Sequence, residues 1–95
     1  MEQPIYKIIT LTIDNNHINH ELFGWYHTKE DALKSVECNS CDMQDQIFNY
    51  VLVSRSYPGG YGICDEELAW FEWNHTDEKW ETCERPEACD GLKFV

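Results

Sequence analysis

The stretch Ala69-Trp70-Phe71-Glu72-Trp73-Asn74-His75-Thr76-Asp77-Glu78-Lys79-Trp80-Glu81-Thr82 carries three of the chain's four tryptophans. Phe71 and Trp73 alternate with Glu72, Trp80 sits between Lys79 and Glu81, and Asn74 to Glu78 is a run of turn formers. Alternation on both sides of a polar turn is the pattern of a β-hairpin. Aromatic cross-strand pairs strengthen such a ribbon, but a lone hairpin is marginal in water, so the remaining residues must supply further strands and a cover.

Period-2 patterning provides the strands. Ile5, Ile9, Leu11 and Ile13 share one parity with Thr10 and Thr12 on the other, which predicts a strand over about Ile5 to Ile13. Lys7 breaks the apolar parity and is expected at an edge, where its stem can lie along apolar surface. Asp14 to His20 reads as a connection, and Glu21 to His27 as a returning strand with Phe23 and Trp25 on one face and Gly24 at a bulge or under a ring. Thr28-Lys29-Glu30-Asp31 has the spacing of a capping box, so a helix starts there, with Ala32, Leu33 and Val36 as its apolar face and an end near Cys38-Asn39. A further helical turn is expected over Asp42 to Ile47. Phe48 to Arg55 is the clearest strand, with Val51 and Val53 toward the core and Tyr50, Leu52 and Ser54 opposite; Tyr57-Pro58-Gly59-Gly60-Tyr61-Gly62 ends it. The order β-β-α-β-β-β predicts an α+β domain over residues 1–95: an antiparallel sheet of about five strands with one helix packed on one face.

Charge narrows the function classes. Eighteen acidic residues against seven basic give a net charge of −11. Nucleic-acid phosphates and anionic membranes are repelled by such a chain, whereas a basic protein surface is attracted. Residues 63–95 hold ten acidic and three basic residues, against eight and four in residues 1–62, so the acid concentrates in the C-terminal third. A solubilising surface is the plain reading of that excess; an interaction face is the functional one. No leader pattern opens the sequence and no apolar run reaches the ~20 residues of a membrane span, which gives a cytoplasmic expectation.

Five cysteines, Cys38, Cys41, Cys64, Cys83 and Cys89, are odd in number and point to free thiols. Cys38 and Cys41 have a zinc-knuckle spacing, and Cys83 with Cys89 would complete four thiolates, but those two are separated by five residues. A structural zinc or redox domain on these cysteines is therefore the alternative reading. His17 and His20 read as solvated turn residues, and His75 near Asp77 lacks a nucleophile or oxyanion motif. Asn74-His75-Thr76 matches a glycosylation acceptor but reads as a turn. Pro58 to Gly62 lacks the Lys-Ser/Thr ending of a phosphate loop, and Asp65-Glu66-Glu67 lacks the spaced oxygens of a calcium loop. The chain is read as non-catalytic and without a cofactor.

Several short motifs resemble a family of small acidic, uncharacterised proteins of bacteria and their phages. These are Phe23-Gly24-Trp25-Tyr26 ahead of Thr28-Lys29-Glu30-Asp31-Ala32, then Asn39-Ser40-Cys41-Asp42-Met43, Asn49-Tyr50, Pro58-Gly59, Trp70-Phe71-Glu72-Trp73, and Lys79-Trp80-Glu81 with Pro86-Glu87. The resemblance spans roughly residues 20 to 94 and implies a bacterial cytoplasmic setting and a shared fold, but no activity. This chain has more cysteines than that pattern, so no metal role follows from it.

Taken together, these features predict a protein-binding module whose surface is built from Asp65, Glu66, Glu67, Trp70, Glu72, Trp73, Glu78 and Glu81. Exposed tryptophan ringed by acid is the composition of an interface hot spot, while packing under the Leu92-Lys93-Phe94-Val95 tail is the structural use of the same rings. The expected partner is a basic protein surface. With the phage setting that the resemblance implies, it becomes a host nuclease or defence effector whose nucleic-acid channel the acidic face occupies.

Overall fold

Five strands and one helix follow the expected order: β1 (Ile5–Asp14), β2 (His17–Tyr26), α1 (Lys29–Glu37), β3 (Tyr50–Ser56), β4 (Glu66–Asn74) and β5 (Lys79–Cys83), then a 3-10 turn at Glu87–Cys89. The computed structural model describes residues 4–14, 17–38, 49–57 and 66–89. All five strands lie in one sheet, ordered β2-β1-β3-β4-β5, and every neighbouring pair is antiparallel. The fold is α+β with a single helix on one face, as the pattern predicts.

The sheet is apolar on both faces because its central strands are. Val51, Val53, Ile8, Phe71 and Trp80 share one face with Ala32 and Val36 of α1, and Leu33 packs at the margin of this cluster. Ile9, Leu11, Leu52 and Trp70 share the other face with Cys89, which the 3-10 turn brings onto the sheet. Burying each of the large side chains contributes about 1.5–3 kcal/mol. The helix begins where its cap is: Thr28 is extended (φ −128°, ψ 151°), and its Oγ1 accepts from the Asp31 amide at 3.1 Å. Tyr26 then ties strand to helix by donating its hydroxyl to Ser35 Oγ at 2.8 Å.

Three expectations change. Asp14 to His20 is not an open connection, because β2 already begins at His17 and pairs with Asp14. Lys7 lies in β1, between β2 and β3, and not at an edge of the sheet. Phe23 and Trp25 do not share a face: the register moves from Ile8↔Gly24 to Ile9↔Leu22, so Phe23 is the extra residue of a β-bulge. That insertion sends Phe23 to the helix-side cluster, while Trp25 stands opposite Lys7 on the other face and is 52% exposed. The bulge is the one anticipated at Gly24, but among the described residues no ring sits on it; a Cβ there would meet none of their atoms within 4 Å. The expected helical turn over 42–47, the Pro58 to Gly62 stop, the Leu92 to Val95 tail, and Cys41, Cys64 and Asp65 lie outside the described residues.

Candidate interaction surface

The tryptophan hairpin forms as its pattern requires. Trp73 pairs with Trp80, the two rings meeting edge to face at 5.3 Å between centroids and 70° between planes. Asn74 shapes the turn: its Oδ1 accepts from the amides of Thr76 at 2.9 Å and Asp77 at 3.0 Å, and its Nδ2 donates to Glu81 Oε1 at 2.9 Å. Glu78 closes the loop with φ of 52°, the left-handed conformation that lets four residues reverse the chain. His75 and Asp77 are exposed members of this turn.

The acidic residues fall into two groups. Glu66 and Glu67 are bound within the chain: Glu66 pairs with Arg55, and Glu67 accepts from Arg85 and, at 3.0 Å, from the Trp70 indole Nε1. Glu81 is held by Asn74 and lies 3.9 Å from Lys79 Nζ. Glu72, Asp77, Glu78, Glu84 and Glu87 are exposed, as Glu66 and Glu67 are as well, and Asp77 accepts from Asn74 Nδ2 at 3.4 Å. Glu72 and Glu81 stand directly opposite each other across the β4–β5 ladder, on the face away from α1. Like charges in that position destabilise a sheet.

The two tryptophans separate by parity. Trp70 is 6% exposed, covered on the second face by the Arg85 guanidinium, 5.8 Å from its ring centroid, and packed with Cys89. Arg85 in turn donates to the Cys89 carbonyl at 2.6 Å, so Arg85 clamps the 3-10 turn onto the ring. Trp73 packs at the margin of the helix-side cluster. Trp70 thus presents no anchor to a partner, and the exposed apolar side chains are Leu22, Trp25 and Tyr57 among the described residues. Leu22 and Trp25 escaped the sequence reading because the bulge hides which face each takes.

The three described cysteines do not converge on one site. Cys38 is exposed at the end of α1, while Cys83 and Cys89 lie on the opposite face of the sheet. Among the described residues no group of three or more metal-ligating side chains forms. Burial, with Glu72 as a second cause, pushes the Cys83 thiol up to about 11, which disfavours the thiolate that metal or disulfide chemistry needs. The Tyr50 phenol is raised in the same way, first by burial, then by Glu72 and the two cysteines. His17 and His20 are strand residues of opposite parity, so they point to opposite faces and cannot share a ligand.

No family model matches the chain, and no curated protein or solved structure matches it. Among the described residues no helix is long and apolar enough to cross a membrane.

Proposed function

We propose that the chain is a non-catalytic protein-binding module whose acidic hairpin engages a basic protein surface. The observation that carries this reading is the charge of residues 66–89: eight acidic residues against Lys79 and Arg85. Both of those basic groups are engaged within the chain, Arg85 with Glu67 and Lys79 near Glu81. The exposed acids therefore present a field that nothing on the same ribbon neutralises, and such a field steers association with a positive surface. The opposed Glu72 and Glu81 support the same reading, since a purely structural sheet gains nothing from placing like charges across a ladder.

The resemblance to small acidic bacterial and phage proteins extends the proposal to a cytoplasmic setting. The partner is then a nucleic-acid-binding enzyme, a nuclease or defence effector, whose phosphate channel the acidic face fills. Affinity capture from a bacterial lysate, followed by binding measured across a salt series, tests it. The expected partner is basic, its association slows steeply with salt, and nucleic acid competes with the chain for it. A ternary complex with nucleic acid still seated in the partner's channel would overturn the channel-filling mode; salt-independent binding to acidic or neutral partners would overturn the module itself.

A further inference from the structure

We propose that Leu22 and Trp25 form a self-complementary contact through which two copies of the chain associate as a weak two-fold dimer, with the acidic hairpins at its opposite ends. The contact stands independently of the acidic-module reading and goes beyond it.

The patch arises from the bulge in β2. Leu22 stands opposite Ile9, and Trp25 opposite Lys7, two residues away along β1. Both therefore lie on the face away from α1, about 7 Å apart along the strand. They are 59% and 52% exposed. Trp25 is also held, since its ring meets His27 edge to face at 5.1 Å between centroids. A ring already restrained loses less freedom when a contact forms on it. Two large apolar side chains at consecutive positions of one face make a patch, where a single one would be ordinary surface.

Charge and area choose the occupant. In the described parts of β1 and β2 the acidic residues are Asp14 and Glu21, and both alternate to the α1 side. On the patch side these two strands carry no acid. Glu72 and Glu81 share that face but lie three and four strands away, about 14 and 19 Å from β2. Those distances exceed the Debye length of about 8 Å at physiological salt, so the charge of β4 and β5 is largely screened where two patches meet. A basic partner finds no carboxylate on this flank, whereas a second copy brings a matching apolar patch that is equally free of acid. A two-fold axis needs only that one patch, each copy covering the other's. Half of an indole and rather more of a leucine amount to on the order of 200 Å² per copy. That is about a quarter of the ~800 Å² each partner buries in a stable complex. The area therefore fits weak self-association, with a dissociation constant on the order of 10⁻⁴ M, and not a tight complex with a foreign protein. On the acidic-module reading the dimer gains weight when both hairpins engage one basic surface, because the second engagement is then intramolecular.

The test is sedimentation and NMR of the whole chain over a concentration series reaching about 1 mM, with reductant present so that the exposed Cys38 cannot cross-link copies. The expected result is a monomer-dimer equilibrium whose concentration-dependent shifts centre on the Trp25 indole and the Leu22 methyls. Added salt tightens the dimer by screening like charge, the reverse of its effect on binding to a basic partner. Trp25→Ser and Leu22→Ser each weaken the dimer about tenfold. Both sites are exposed, and the shifts of the unchanged chain on dilution require no variant, so a folding defect does not blur the outcome. A monomer at every concentration, shifts centred on residues 66–83, or a dimer indifferent to both variants would overturn the proposal while leaving the acidic module standing. Perturbation of Trp25 by neutral phospholipid vesicles, with the protein monomeric throughout, would overturn it in favour of a lipid surface.

Discussion

Asn49 does with its side chain what a strand residue does with its backbone. Its Oδ1 accepts from the Ile13 amide at 3.0 Å and its Nδ2 donates to the Ile13 carbonyl at 3.2 Å. Its own amide donates to Leu11 and its carbonyl accepts from Trp73, so one residue joins β1 to β4 just ahead of β3. Asn49→Ala strands both polar groups of Ile13, and the expected cost is about 1–3 kcal/mol, seen as a lower urea midpoint at unchanged slope. Thr10 is the converse case: it is buried, and its Oγ1 has no hydrogen-bond partner among the described residues. Thr10→Val keeps the shape and removes a hydroxyl that gains nothing, so stability is expected to hold or rise by up to about 1 kcal/mol in the same assay. Cys83 adds a pH dependence. Its folded pKa of about 11 lies above the ordinary 9.0, so the folded state holds the thiol proton more tightly than the unfolded chain does. That contribution is whole below about pH 9 and is lost as the pH rises through about 11. Thermal unfolding of Cys83→Ala should therefore fall less steeply than that of the parent over this alkaline window.

At α1 the cap and the apolar stripe do separate jobs, one fixing where the helix starts and the other what it covers. Thr28→Ala removes the acceptor for the Asp31 amide and should cost about 1 kcal/mol, measured by urea unfolding, with the fold retained. Val53→Asp, beneath the helix, should instead prevent folding, because a carboxylate there is buried without a partner. Both sites were legible in the sequence for the same reason: a cap and a 3.6-residue stripe are local signals, and so is the alternation in β3 and in the tryptophan hairpin. The β2 strand shows where such signals stop. His17 to His20 is polar because it lies on an edge strand, and polar edge residues look like a loop. Gly24 marks the bulge, but nothing local shows that Phe23 is the inserted residue, and that insertion inverts the faces of everything across it. For Trp70 the parity was readable, but its cover was not, since Arg85 and Cys89 reach it through a non-local fold of the chain. Of the predicted surface residues, Glu72 and Glu78 are exposed, Glu66 and Glu67 are tied to arginines, and Trp70 is core. Charge alone cannot tell a carboxylate that an arginine already holds from one that no arginine holds.

Over the molecule as a whole, the distribution of acid decides which substitution best separates binding from folding. Reversing Glu67 is a poor probe, because a lysine there would face Arg85 and lose the acceptor of the Trp70 indole, loosening the clamp on the second face. Glu72 is the better one: it is exposed and stands opposite Glu81. Glu72→Lys converts a like-charge cross-strand pair into an opposite-charge one, so the domain should become more stable by roughly 0.2–1 kcal/mol. The same change raises the net charge of the face by two, and a basic partner should then associate more slowly and with a shallower salt dependence, while dissociation changes less. Stability and binding are thus expected to move in opposite directions in one variant. Stopped-flow association across a salt series, set beside urea unfolding of the same protein, reads both quantities. A gain in stability with no loss in association rate would show that Glu72 only shapes the domain's solubility, and would remove the hairpin's outer face from the interaction surface.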